Sequence, residues 1–189
     1  MTFWANLIGY QIVWFSAIIG AGRGLWWPGV IAAAVFIPMH LGFARQSAAQ
    51  RLIDLRLLVI AVFIGLLLDG AVAASGFARY AASTLTLLPG GAPVWILAVW
   101  ASFGLTLRHS MIFLLGRPTV ALLFGALGGP LAYLGAARGW QAISFAEPRW
   151  MALLTLAIGW GLAIPLLTAL AHRWSAPATA SIQTAPERA

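Results

Sequence analysis

The sequence predicts an all-α fold, a polytopic transmembrane helix bundle with about six spans, and composition is the first reason. Hydrophobic residues make up 62% of the 189 positions and charged residues only 8%, whereas a soluble domain carries about 25% charged residues. The chain has 11 cationic residues, all of them Arg, and 4 acidic residues. These few charges cannot cover the surface of a soluble protein of this length, so we expect the lipid bilayer to surround it.

Apolar stretches set the positions of the helices, because each crossing of the bilayer needs about 20 apolar residues. We interpret the first stretch as a retained helix rather than a signal peptide, since MTFWANLIGY has no basic residue. Residues 1–174 are predicted to form one transmembrane domain, and residues 175–189, rich in Pro, Ala, Ser and Thr, a disordered cytoplasmic tail. The predicted spans cover residues 3–22, 25–44, 57–77, 94–115, 118–137 and 150–171.

The distribution of Arg predicts the orientation, because cytoplasmic loops carry an excess of basic residues. One side of the predicted spans has Arg45, Arg51, Arg56, Arg108, Arg117, Arg173 and Arg188, and the other side has Arg23, Arg79, Arg138 and Arg149. Both termini are therefore predicted to be cytoplasmic. Arg residues beside apolar spans meet anionic headgroups, so we expect no nucleic-acid partner. The chain has no Cys, which excludes disulfides and thiolate metal sites.

A basic group at the predicted inner surface precedes span three. Arg45, Arg51 and Arg56 lie in ARQSAAQRLIDLR, where Asp54 can pair locally with a neighbouring Arg. The simpler interpretation is the start of a helix whose Arg side chains reach the headgroups. The alternative is a docking surface for a soluble lipid-modifying enzyme.

Glycine and proline interrupt the apolar pattern in the C-terminal half, where kinked helices are predicted. Span five has Gly128, Gly129 and Pro130 at its middle, and span six has Gly161 and Pro165. Proline removes a backbone donor and bends a helix. Two adjacent broken helices can line a binding site, but ordinary kinked helices packed closely through Gly125 and Gly129 explain the pattern more simply.

Asp69 is the only acidic residue inside the predicted spans. A charged Asp at mid-helix costs about 2.5 to 3.5 kcal/mol on the insertion scale, so this side chain must face protein or water, or be protonated. At helical spacing Gly65, Asp69, Ala73 and Gly76 form a ridge of small residues, which allows another helix to approach closely. Asp69 is therefore predicted to lie on a packed face.

A polar pocket is the functional hypothesis for the membrane interior. Span four carries a stripe of Ser102, Thr106, His109 and Ser110 at intervals of three and four. Ser and Thr in such helices often bond their own backbone, and His or Asn often join helices, so this stripe also has a purely structural explanation. The predicted pocket comprises Asp69, Ser102, Thr106, His109, His40, Asn6 and Gln11.

Neither a metal nor another cofactor is predicted, and no catalytic residue is assigned. His40 and His109 have no acidic or Cys companion at ligand spacing. Three of the ten Trp, Trp14, Trp100 and Trp160, fall deep in the predicted spans. They are expected to be packing residues or cavity walls, whereas the Trp residues near span ends anchor the protein at the interface.

The order of several short motifs resembles a family filed as domain of unknown function 2878. The motifs are WANLIGYQIVWF, LLLDG, LTLRHS, GGPLAYLGA and GWGLAIPLL, and the resemblance covers residues 3–171. It implies several membrane helices in the bacterial inner (cytoplasmic) membrane and supplies no catalytic residues. The resemblance also implies that genes for fatty-acid modification lie near the genes of this family. It therefore indicates a lipid-associated role, by association alone.

Three functions remain open from the sequence. The first is a binding or transport protein whose polar pocket accepts a small amphipathic or lipid-derived molecule. The second is a membrane enzyme acting on fatty acids or phospholipids, in which Asp69 and His109 exchange protons. The third is a scaffold that recruits a soluble lipid-modifying enzyme through the basic group. The lack of any recognisable catalytic set favours the first.

Overall fold

The computed structural model describes residues 2–43 and 46–175. Arg45 and Arg188, and the predicted tail beyond Ser175, lie outside the described residues. The described part is mainly helical and contains one small antiparallel sheet, which pairs two three-residue strands. The elements are α1 (Phe3–Gly22), α2 (Trp27–Phe43), α3 (Ala48–Ala74), β1 (Ala78–Tyr80), α4 (Val94–Gly104), α5 (Pro118–Trp140), β2 (Ile143–Phe145) and α6 (Trp150–Ser175), with a 3₁₀ turn at Ile112–Leu114.

The all-α membrane fold is confirmed, but the number of full spans is four rather than six. Within residues 2–43 and 46–175, only α1, α3, α5 and α6 are long and apolar enough to cross a membrane. α2 has 17 residues and α4 has 11. With a rise of about 1.5 Å per residue, α4 extends only about 16 Å, roughly half of the hydrocarbon core.

The early end of α4 is the main departure from the predicted span 94–115. Beyond Gly104 the backbone continues as turns, in which the amides of Leu105 and Thr106 bond the carbonyls of residues three positions earlier. Gly104 lies against the backbone of α3, where a Cβ atom would come within 2.9 Å of the Leu57 carbonyl oxygen. Leu105, Thr106 and Leu107 are buried. Irregular backbone at membrane depth is tolerated only where protein covers it.

Contacts between elements define two ends of the bundle. At the strand end, β1 pairs with β2, and the Trp95 indole donates to the Ala81 carbonyl oxygen. At the terminal end, Arg108 donates a hydrogen bond to Ser175 at the end of α6. The segments that precede and follow α4 in the sequence thus lie at opposite ends of the bundle, although α4 itself is short.

Small residues allow the closest helix contacts, and the prolines do not interrupt α5 or α6. A Cβ atom on Gly129 would lie 2.4 Å from Cγ of Trp160, and one on Gly65 would lie 2.2 Å from Cδ1 of Trp100. Pro130 and Pro165 both lie inside continuous helices. The helices are therefore not divided at the predicted positions, because each proline removes one bond while the surrounding turns remain intact. These positions are Gly128, Gly129, Pro130, Gly161 and Pro165.

Candidate functional site

Asp69 lies at the centre of an aromatic cluster near the strand end. Its side chain is fully buried, as the ridge of small residues predicted. Oδ1 accepts hydrogen bonds from the hydroxyls of Tyr80, at 2.7 Å, and Tyr133. Oδ2 accepts the indole N–H of Trp100 at 2.6 Å. The carboxyl group therefore joins α3 to β1, α4 and α5 through three donors.

Tyr80 supplies the only one of these donors that lies outside the helices. Burial raises the pKa of the Tyr80 hydroxyl far above its usual range, and the adjacent Asp69 carboxylate raises it further. The hydroxyl therefore keeps its proton and remains a donor to Asp69. This bond fixes β1 against the membrane-embedded end of α3.

A cavity of about 290 Å³ lies beside this cluster, between α1, α4, α5 and α6. Trp100 and Tyr133 belong both to its lining and to the Asp69 cluster. Trp14 and Trp160 line it as well, as predicted for the deep Trp residues. The remaining lining residues are Tyr10, Gln11, Ile18, Trp95, Ile96, Val99, Phe103, Met111, Phe124, Gly125, Gly128, Gly129, Ala132, Ala136 and Ile143.

One wall of the cavity is an indole stack. The rings of Trp100 and Trp160 are parallel within 16° and have centroids 4.0 Å apart. Trp100 is held by Asp69, and Gly129 leaves room for Trp160. The buried indole nitrogen of Trp160 has no hydrogen-bond partner among the described residues. The wall is thus apolar apart from this one N–H group.

A second polar cluster lies at the terminal end, around Asp54. Oδ1 of Asp54 accepts a hydrogen bond from Arg108 at 2.8 Å. Its Oδ2 lies 3.1 Å from Nε2 of His109 and 3.4 Å from Nε2 of His40. Asp54 and His40 are buried, and the Arg108 and His109 side chains are 11% and 14% exposed. Three residues from two other parts of the chain therefore share the Asp54 carboxylate.

Asn6 connects this cluster to the irregular backbone after α4. Its Nδ2 donates to the Leu105 carbonyl oxygen at 3.1 Å, and its Oδ1 accepts the amide and hydroxyl of Ser110 at 3.3 and 2.6 Å. Nδ2 also lies 3.2 Å from Nδ1 of His40. Asn6 thus satisfies backbone groups that a continuous helix would have satisfied itself.

The predicted single polar pocket is not what the structure shows, because its residues divide between separate places. Asp69 belongs to the aromatic cluster, whereas Asn6, His40 and His109 belong to the Asp54 cluster, about 22 Å away along α3 by helical rise. The cause is the end of α4 at Gly104, which takes Thr106 and His109 off the helical stripe.

The other predicted pocket residues have simpler surroundings. The hydroxyls of Ser102 and Thr106 bond the carbonyl oxygens of Ala98 and Phe103, as the structural explanation expected. Gln11 is exposed on α1 and lines the cavity. Of the predicted pocket residues, only Gln11 therefore contributes a polar side chain to the cavity lining.

Asp54 is the residue that the sequence reasoning missed. We expected a local ion pair near the inner surface, but its partners are Arg108, His109 and His40. Arg51 and Arg56 are exposed, and Arg56 lies over the Trp174 ring at 5.7 Å. The helix that carries Asp54 begins at Ala48, nine residues before the predicted span. The predicted span therefore did not include Asp54.

The donor set of the Asp54 cluster has the composition of a metal site, and its ligand atoms lie within 4.8 Å of one another. Asn6 argues against coordination. Since its amide orientation is fixed by Leu105 and Ser110, its N–H faces Nδ1 of His40. Neutral His40 must then carry its proton on Nε2, towards Asp54, which leaves no lone pair there for a metal.

Comparison with known proteins identifies a family and no individual relative. Neither a curated protein nor a solved structure matches the chain. A family model described as a protein of unknown function, DUF2878, matches residues 3–166. The chain belongs to this family.

Proposed function

We propose that this protein binds a small amphipathic or lipid-derived molecule in the aromatic cavity and moves it within or across the bilayer. The observation that carries the proposal is the cavity itself, whose walls include indole and phenol rings held in place by Asp69. A largely apolar cavity with a few fixed polar groups is the usual form of a small-molecule site. It therefore replaces the polar pocket as the proposed site.

The volume and lining limit the class of ligand. At about 290 Å³ the cavity is at the small end of ligand pockets, which have about 300 to 1,000 Å³. It accommodates a ring or part of one acyl chain, and is too small for an intact two-chain lipid. An acceptor oxygen on the ligand would give the unpaired indole N–H of Trp160 a partner. A single-chain amphiphile with a carbonyl or hydroxyl oxygen fits both features.

The exposed lining residues support entry from the membrane. Gln11 of α1 and Phe124 of α5 line the cavity and are exposed on the outer surface of helices that are long enough to span a bilayer. An opening between these helices faces acyl chains rather than water. A molecule dissolved in the bilayer reaches such an opening without crossing an aqueous phase.

Photo-crosslinking tests the proposal directly. The probe is a single-chain fatty acid carrying a diazirine, added to the purified protein in lipid nanodiscs, and the readout is the position of adducts by peptide mass spectrometry. We expect saturable adducts on lining residues such as Tyr10, Phe103 and Met111 that an excess of unlabelled fatty acid removes. Adducts spread evenly over lipid-facing residues such as Leu127 and Leu162, without saturation, would refute a specific site.

Two glycines of α5 provide a matched pair of variants. Gly128 lines the cavity and Gly135 does not, and an added Cβ atom meets nothing within 4 Å at either position. Gly128→Leu should therefore place a larger side chain at the cavity wall and weaken saturable labelling about tenfold, or about 1.4 kcal/mol. Gly135→Leu should label like the wild type. Equal loss in both variants would indicate a general effect on the helix.

Two assays distinguish transport from the remaining functions. Saturable flux of the probe into vesicles supports transport, and product formation by solubilised protein alone supports an enzyme acting on lipid. A scaffold for a soluble lipid-modifying enzyme should lose its phenotype when Arg51 and Arg56 are neutralised, but not when Gly128 becomes Leu.

We also propose that the protein lies in the bacterial cytoplasmic membrane, with both termini in the cytoplasm.

A further inference from the structure

We propose that an open groove along the outer face of α1 holds the carboxylate end of a single-chain fatty acid, whose far end enters the aromatic cavity beside Gln11. Such a ligand belongs to the class named in the proposed function, on which this proposal rests, and the groove specifies its charge and orientation. Two observations carry the proposal. Arg23 lies at one end of the groove, and Gln11 lines both the groove and the cavity.

The α1 groove follows one face of this helix and has a volume of about 750 Å³. It runs from Trp4 to Arg23, with lining residues at intervals of three and four. At the strand end it is also lined by Trp27 and Pro28, at the start of α2. Ile12 in its wall is 58% exposed, so no described helix covers this face. Because α1 is long enough to span a bilayer, acyl chains lie against the groove.

Arg23 gives the groove its charge. Among the described residues that line it, Arg23 is the only charged one, and it is exposed. The acidic residues of the described part are engaged elsewhere, Asp54 and Asp69 in the two clusters and Glu147 with Arg149. The Arg23 guanidinium therefore has no carboxylate partner within the described part of the chain. An anionic headgroup supplies one through charge-assisted hydrogen bonds.

The depth of the groove between Arg23 and Gln11 matches one leaflet of the bilayer. The helix rises about 18 Å between these two residues. One leaflet contributes about 15 Å of hydrocarbon, half of a core of about 30 Å. A fatty acid with its carboxylate at Arg23 therefore stays at the depth that it has in the bilayer, and its chain reaches Gln11 without carrying charge into the hydrocarbon.

Gln11 marks the place where the groove meets the cavity, because it is the one described residue that lines both. The cavity, with about 290 Å³, holds only part of an acyl chain. The rest of the ligand must lie outside the cavity, and the groove provides the space for it. Any ligand oxygen that pairs with the Trp160 indole then belongs to the chain rather than to the carboxylate.

Two photo-crosslinking probes test this arrangement on the full chain in nanodiscs of neutral lipid. One fatty acid carries its diazirine beside the carboxylate, and the other carries it near the end of the chain. We expect the first to give saturable adducts at Ile19 and Leu25 of the groove, and the second at Tyr10 and Phe103 of the cavity. The reverse pattern, or the same adducts from both probes, would overturn the proposal.

Substitutions of Arg23 test the headgroup contact. Arg23→Gln should weaken saturable labelling by both acid probes about tenfold or more, because hydrogen bonds to charged groups are among the strongest. Arg23→Lys keeps the charge and should retain most of the labelling. Arg138→Gln removes an exposed Arg outside the groove, in the last turn of α5, and should label like the wild type. Equal losses in Arg23→Gln and Arg138→Gln would overturn the proposal, as would the same loss with an uncharged fatty-alcohol probe.

A competition experiment tests the choice of occupant. Unlabelled fatty acid should remove the groove adducts. Competition by phosphatidylglycerol but not by fatty acid would overturn the proposal and assign the groove to a two-chain lipid.

A block at Gln11 separates this proposal from the proposed function. Gln11→Trp should remove the cavity adducts and leave those at Ile19 and Leu25, whereas Ile8→Trp, in the other half of the groove, should label like the wild type. Cavity adducts that are independent of Arg23, without groove adducts, would overturn this proposal and leave the proposed function standing. A wild-type protein without saturable cavity adducts from either probe would refute the proposed function, and this proposal with it.

Discussion

Asp69 shows how a single acidic residue is accommodated in an apolar helix. The carboxyl group has three donors and no cationic partner among the described residues. Each donor comes from a different element, so one side chain determines where β1, α4 and α5 meet α3. Two of the donors, Trp100 and Tyr133, also form cavity wall. Asp69 therefore shapes the proposed binding site without lining it.

Replacing Asp69 with Asn should reduce both stability and ligand binding. The Asn amide group presents an N–H to one of the donors, and the Trp100 indole cannot act as an acceptor. We expect a loss of about 1 to 3 kcal/mol, measured as a lower melting temperature in nanodiscs, and weaker labelling by the diazirine probe. Tyr80→Phe should destabilise less, because Tyr133 still donates to the same oxygen. An Asp69→Asn variant with wild-type melting and labelling would contradict this role.

Asn6 has a comparable role at the terminal end, where one amide group replaces several helix bonds. It pairs with Leu105 and Ser110, which follow the end of α4. Its contact with His40 also sets the tautomer of that ring. A polar residue that could be taken as helix glue therefore decides the chemistry of the neighbouring site.

The helices illustrate why glycine matters more for packing than for bending in this protein. α5 and α6 continue through Pro130 and Pro165, while Gly125 and Gly129 bring α5 against Trp160. A Cβ atom on Gly125 would lie 2.2 Å from the Trp160 carbonyl oxygen. Close approach of backbones is the usual basis of association between membrane helices. The contact between α5 and α6 forms one side of the cavity.

Alanine substitutions on α5 should separate packing from helix propensity. Gly129→Ala forces Trp160 to move, because the new Cβ atom would lie 2.4 Å from its Cγ, and overpacking of this kind costs about 1 to 3 kcal/mol. Gly135→Ala meets nothing within 4 Å and should be neutral or stabilising by up to about 1 kcal/mol. Thermal unfolding in nanodiscs measures both. Equal effects at the two positions would show that contact with Trp160 is unimportant.

The whole molecule is a helical unit with different chemistry at its two ends. The aromatic cluster lies near the strand end, and the Asp54 cluster lies at the terminal end. The cavity extends between them, since Met111 in its lining directly follows Ser110, the partner of Asn6.

The predicted orientation is testable because the chain has no Cys. We would introduce Ala49→Cys at the terminal end and Ser83→Cys in the loop after β1, both at exposed positions. With the termini in the cytoplasm, a membrane-impermeant maleimide should label the Ser83→Cys variant in intact spheroplasts. It should label the Ala49→Cys variant only after lysis. The reverse pattern would place the termini outside.

Composition and local pattern were sufficient for the class of protein, for the starts of α1, α5 and α6, for the burial of Asp69 and for the depth of Trp14, Trp100 and Trp160. These properties depend on apolar content and helical spacing, which neighbouring residues encode. Only the tertiary structure decided that α4 ends at Gly104 and that Asp54 joins His40, His109 and Arg108. Those outcomes depend on contacts between remote segments, such as that of Asn6 with Ser110, 104 positions apart, which no local pattern records.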